Sequence, residues 1–179
     1  MTNFSAAFLF LTLIFSQGAE AVPQKTRPSS PSKKGSEVSR GSALWQELTG
    51  ENLDKLDDKG LYSEVVAQYQ IRDVKGLSRY VEALLSRYPS SPYADNALFL
   101  GGELALEMKN YPEALRYFQR VTRSYPLSNR VVAAQFAKGM AYKKMNLEAQ
   151  AKRVFFELRT KYPGSPESFR AEVELKLIQ

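Results

Sequence analysis

The chain has 179 residues, a formal net charge of +6 and a pI near 9.4, with 44% hydrophobic and 25% charged residues, which is the composition of a folded soluble domain. It contains no histidine and no cysteine. That excludes thiolate nucleophiles, Ser-His-Asp triads, zinc fingers, His-metal sites, disulfides and a lipid-bearing cysteine behind an export signal. The positive charge favours acidic partners (anionic lipid, nucleic acid or acidic protein) without choosing among them.

Residues 6–15, AAFLFLTLIF, form a ten-residue apolar block, and Ala19-Glu20-Ala21 follows with small-x-small spacing. The block is shorter than the roughly 20 residues of a membrane span. The pattern predicts a signal peptide over 1–21, cleaved after Ala21, and a periplasmic protein that is not a lipoprotein. Residues 22–42 are rich in Pro and Ser and carry five basic residues against one acidic. Too few apolar side chains are present to offset the entropy of ordering, so the stretch reads as a disordered basic linker. It serves either as a solubilising spacer or as a contact for anionic lipid or cell-wall polymer.

Residues 43–179 read as a helical repeat domain. Trp45, Leu48, Leu53 and Leu56 are expected to fold back on the first helix pair; Trp45 is either buried there or an exposed contact aromatic. Asp57-Asp58 precedes a helix. It reads as an N-terminal cap that complements the helix dipole, with a metal or acid-base pair as the alternative. Helical periodicity then gives pairs over 61–73 and 74–88, 94–110 and 111–125, and 131–146 and 147–162, followed by a lone helix over 165–179. The polar residues Glu167, Arg170, Glu172, Glu174 and Lys176 suit that last helix to a solvating cap.

Tyr88-Pro89, Tyr125-Pro126 and Tyr162-Pro163 recur at intervals of 37 residues, which is the signature of a repeat architecture. Proline disfavours the α conformation in the residue before it, so each Tyr marks the end of a second helix. Ser91, Ser128 and Ser165 are placed to cap the helix that follows, with Pro92 and Pro166 at its first position.

Gly102, Ala114, Phe118 and Pro126 are separated by 12, 4 and 8 residues, and Gly139, Ala151, Phe155 and Pro163 repeat those separations. Tyr142 fills a further aromatic slot, while the first pair holds Val65, Leu77, Val81 and Pro89. On these residues the chain resembles the tetratricopeptide repeat. The resemblance implies an all-α fold: a tetratricopeptide-type α/α superhelix, a right-handed solenoid of about three helix hairpins and a capping helix. The period of 37, against about 34 in the ordinary repeat, resembles the repeats of bacterial envelope proteins. The first such relative is the C-terminal domain of the Tol–Pal-associated periplasmic cell-division coordinator; BamD-like repeats are the second. Both imply an adaptor rather than an enzyme.

The concave surface of such a stack is lined by the first helix of each pair. Register puts Tyr62, Val66 and Tyr69, then Asn96, Phe99, Glu103 and Leu106, then Phe136, Met140, Lys143 and Lys144 on that face. Aromatic and Met residues among charges suit a protein-binding groove, although Phe99 and Phe136 equally suit packing between repeats. The Lys, Asn and Arg clamp for a C-terminal carboxylate is absent: the matching positions hold Phe99, Leu100, Phe136 and Ala137. Gly101-Gly102 lacks phosphate-loop spacing. Lys143-Lys144, Lys152-Arg153 and Arg159 form either a polyanion stripe or a solvated face. The expected function is a non-catalytic adaptor of the bacterial envelope, in envelope assembly or cell division, with no cofactor, no metal and no nucleic-acid partner. The alternative is a polyanion- or membrane-surface-binding accessory protein acting through the basic linker.

Overall fold

A computed structural model describes residues 53–178. The expected signal peptide and basic linker, with Trp45 and Leu48, lie outside the described residues. Within them, a 3₁₀ turn (Leu53–Lys55) is followed by α1 (Asp58–Ile71), α2 (Val74–Arg87), α3 (Ala94–Glu107), α4 (Tyr111–Ser124), α5 (Val131–Lys144), α6 (Glu148–Lys161) and α7 (Pro166–Leu177), with no strand among the described residues. The Arg87 guanidinium donates to the Leu53 and Asp54 carbonyls, which ties the 3₁₀ turn to the end of α2.

The hairpins α1–α2, α3–α4 and α5–α6 close in the same way. Arg72, Lys109 and Asn146, spaced by 37, adopt φ of 59°, 60° and 58°. The next N–H bonds back to the carbonyl five residues earlier: Asp73 to Gln68, Asn110 to Ala105 and Leu147 to Tyr142, at 2.8–3.0 Å. This left-handed cap uses up carbonyls that the helix end leaves open. The following helix starts on the Asp73 or Asn110 side chain in the first two copies; Leu147 supplies no such cap in the third.

Each of the later hairpins is held by a ring set against a glycine. A Cβ added at Gly102 would meet the Phe118 ring at 2.5 Å, and one at Gly139 would lie closer still to Phe155. Ala114 and Ala151 are fully buried in the same seams. Glycine inside a helix costs about 1 kcal/mol against Ala, so the close approach is what offsets it. The first hairpin solves the same space with Val65 and Val81, both fully buried. There Val81 replaces the ring with a much smaller side chain, and Val65 replaces the facing glycine with a larger one.

The turns between hairpins differ from expectation. Ser165 does cap α7, accepting from the Ser168 N–H at 3.1 Å, with Pro166 at the first position. Ser91 and Ser128 do not cap α3 and α5, whose flanking residues are Tyr93 and Arg130, without side-chain caps. Pro92 lies in the turn before α3, outside the helix. α3 and α5 start three residues after their Ser, against one for α7, so the Ser91 and Ser128 oxygens accept from the flanking Tyr93 and Arg130 N–H groups, at 3.2 and 2.9 Å, and not from inside the helix. The Ser91 hydroxyl donates to Asp58 and that of Ser128 to Asp95, each at the start of the preceding first helix. Thirty-seven residues beyond Asp95 stands Val132, so Ser165 has no such carboxylate and donates to the Tyr162 carbonyl at 3.0 Å. Tyr125 adds a 2.9 Å bond to the Pro89 carbonyl, which joins successive Tyr-Pro turns.

α7 packs on α5 and α6. It pairs outward through Lys143–Glu174 and Arg159–Glu172. It is not polar all round, however: Phe169, Val173 and Leu177 are exposed on it.

We predict that Ala114→Leu or Ala151→Leu overpacks its seam and lowers stability by about 1–3 kcal/mol, seen as a drop of several degrees in the circular-dichroism melt. Unchanged melting of both variants contradicts the nested packing.

Candidate functional site

The first helices of the pairs, α1, α3 and α5, together with α7, share one side of the stack. Tyr62, Phe99 and Phe136 stand 37 residues apart on it, and each is covered by a residue of the next repeat. Tyr93 stacks on Tyr62 with ring centroids 5.0 Å apart and planes 13° apart. The Arg130 guanidinium lies 5.2 Å from the Phe99 centroid, and Arg170 lies 4.3 Å from that of Phe136. From below, Phe118 and Phe155 tilt against Phe99 and Phe136 at 5.7 and 5.6 Å. Phe99 and Phe136 are therefore only 8% and 6% exposed. They are floor, not projecting arms, because rings and guanidinium groups close on both faces of each.

Other register residues are engaged as well. The Asn96 side-chain oxygen accepts from Arg130 Nε, which fixes the guanidinium over Phe99. Lys143 is turned to Glu174 of α7. Tyr69 donates to Glu107 Oε1 at 3.1 Å, and Arg72 lies 3.6 Å from the same carboxylate. Burial pushes the Tyr69 phenol above its ordinary value, helped by Glu103 and Glu107. Burial likewise pushes the half-buried Glu103 carboxyl above its ordinary value; Arg130 opposes the shift and Glu107 adds to it.

A groove of ≈ 520 Å³ runs from α3 across α5 to α7. Leu106, Ala133, Ala137 and Met140 form its apolar floor beside Phe99 and Phe136, while Glu103, Glu107, Lys144 and Arg170 stand along it. The structure thus brings Phe99, Glu103, Phe136 and Met140 together and leaves Tyr62, Asn96 and Lys143 in contacts of their own. Sequence reasoning did not select Ala133, Ala137, Arg130 or Arg170. The repeat holds the signal for two of them: Asn96, Ala133 and Arg170 share one register position, 37 residues apart. Among the described residues no group of three or more His, Cys, Asp or Glu could hold a metal ion. No helix there is long and apolar enough to cross a membrane.

Helix hairpins with a small residue under each ring and a groove along their first helices define an all-α protein of the tetratricopeptide-repeat type. The chain belongs to the YfiO outer membrane lipoprotein family, whose model matches residues 54–178. Of the two relatives expected from the sequence, this supports the BamD-like one; the cell-division coordinator gains no specific support. No curated protein matches the chain. Membership associates the protein with the envelope and with protein–protein interaction rather than catalysis. The family description names a lipid anchor, yet the 179 residues contain no cysteine to carry one.

The Glu103 shift has a sign that can be checked. With its carboxyl raised by burial, the folded chain holds a proton where the unfolded chain has released it. Stability therefore falls as pH rises through that window. Glu103→Gln should melt higher than the parent at pH 7, and the gap should close below the ordinary Glu range near about 4.3. A variant that melts lower than the parent at pH 7 contradicts this.

Proposed function

We propose that the protein is a non-catalytic envelope adaptor that grips a segment of a partner protein in the groove between α3, α5 and α7, in the service of envelope assembly or cell division. The observation that carries this reading is the groove itself: an apolar floor bounded by charges, on the side where helical repeats hold partners. Phe99 and Phe136 support the floor from beneath, and Leu106, Ala137 and Met140 supply the contact. Glu103, Glu107, Lys144 and Arg170 set the partner's charge pattern, and Tyr69 extends the surface toward α1. Family membership and the tetratricopeptide-type fold favour such a role over chemistry.

The test is in-cell crosslinking followed by pull-down from the native envelope. Met140→Glu sets a charge into the apolar floor, at a cost of about 1–3 kcal/mol to any apolar contact there. Recovery of the partner should fall about tenfold, while a Leu127→Glu control on an exposed turn residue recovers it fully. Equal recovery by Met140→Glu and the parent overturns the reading.

A further inference from the structure

Nearly every charged group along the groove already has a partner or stands in water. Glu107 accepts from Tyr69 and faces Arg72. Arg130 donates to Asn96 and lies over Phe99, and Arg170 lies over Phe136. Lys109 and Lys144 are exposed, where water weakens their action on neighbours. Glu167 stands in the first turn of α7, where it complements the helix dipole. Glu103 is the exception. It is half-buried in the middle of α3, and among the described residues no hydrogen bond or ion pair reaches its carboxylate.

The repeat shows that packing does not call for an acid at this position. The same register place holds Val66 in α1, Met140 in α5 and Leu177 in α7. Every other first helix therefore sets an apolar side chain there. Phe99 and Leu106, at i−4 and i+3, share its face of α3, and Met140 lines the groove with them. A half-buried carboxylate on such a floor costs stability while it lacks a partner, as its raised protonation range reflects. A cation arriving from outside would offset that cost.

We propose that Glu103 is the anchor for an arginine of the partner segment, whose methylenes lie on Leu106 and Met140 and whose guanidinium meets the Glu103 carboxylate. This rests on the reading of the groove as a partner site and adds the chemistry of what enters it. Two properties favour arginine over lysine. Its stem covers apolar surface while its planar head pairs with a carboxylate through two parallel N–H bonds. It is also more weakly hydrated than an ammonium group, which matters on a floor of Leu106, Ala137 and Met140. Glu107, one turn on, adds a second negative charge at the same edge, though Tyr69 already holds it.

The probe is a phage-displayed library of random peptides, panned on the whole chain as purified. Peptides that bind the parent and not Met140→Glu occupy the groove. Among them arginine should be enriched at one position, and Glu103→Arg should lose those sequences. One such peptide is then synthesised with its arginine or with citrulline, which keeps the shape and removes the charge. Citrulline in the peptide or Glu103→Gln in the protein should each raise Kd about tenfold, and the two together little more than either. Because Glu103→Gln is expected to melt higher than the parent, its loss of binding is not a loss of fold. The outcomes separate two failures. A library that yields no peptide dependent on Met140 contradicts the groove reading, and this inference with it. Groove-dependent peptides without an arginine preference, with lysine in its place, or with a Kd that Glu103→Gln leaves within about twofold overturn the arginine anchor and leave the groove reading standing.

Discussion

The contact on which the rest depends is an aromatic ring occupying the volume a side chain would need. Phe118 sits against Gly102 and Phe155 against Gly139, closer than any Cβ would permit. A folded chain accepts the helix-weakening glycine only where packing density demands it. Here the gain is a short distance between the two helices of a hairpin, and that distance fixes where the next hairpin sits. The first hairpin shows that the volume, not the residue type, is what must be met. Val65 and Val81 fill the same seam without glycine or ring.

From this nest the other regularities follow. Once a hairpin is closed, the ring on its first helix meets the start of the next repeat: Tyr93 on Tyr62, Arg130 on Phe99 and Arg170 on Phe136. The Ser91–Asp58 and Ser128–Asp95 bonds lock the same step on the polar side. The first two steps therefore combine a ring contact with a hydrogen bond, the third keeps the ring contact alone, and the groove is the surface left between successive steps. Its floor is small, of Ala133 and Ala137, because the rings have already been drawn into the core. Its edges are charged because Asn96 and Arg130 occupy one another while Glu103 and Lys144 do not.

Much of the frame was legible in the sequence. The interval of 37 residues, the Gly-Ala-Phe slots and the Tyr-Pro ends each state a local physical requirement, so the hairpins and their turns follow from them. What was not legible is where a side chain goes when two partners compete for it. Ser91 and Ser128 have the chemistry of caps, but α3 and α5 start three residues beyond them, so their oxygens accept from the flanking Tyr93 and Arg130 N–H groups while their hydroxyls donate to Asp58 and Asp95; α7 starts directly after Ser165, which caps it as expected. Phe99 and Phe136 stand on the register of an exposed face. The residues that cover them come 31 and 34 positions later, one at the helix entry and one on α7, and no local pattern announces that contact. The same holds for α7. Its charges suggest a polar cap, while the spacing of Phe169, Val173 and Leu177 is a helical stripe that lies among them.

The most direct measure of the central contact is a double-mutant cycle between Gly102→Ala and Phe118→Leu, followed by chemical denaturation. Helix propensity alone favours Ala at position 102 by about 1 kcal/mol. The ring contact predicts the opposite in the parent, a loss of about 1–3 kcal/mol, and predicts that the loss disappears once Phe118 is Leu. If Gly102→Ala has the same effect in both backgrounds, within about 0.5 kcal/mol, the ring does not set the helix spacing and the account is wrong.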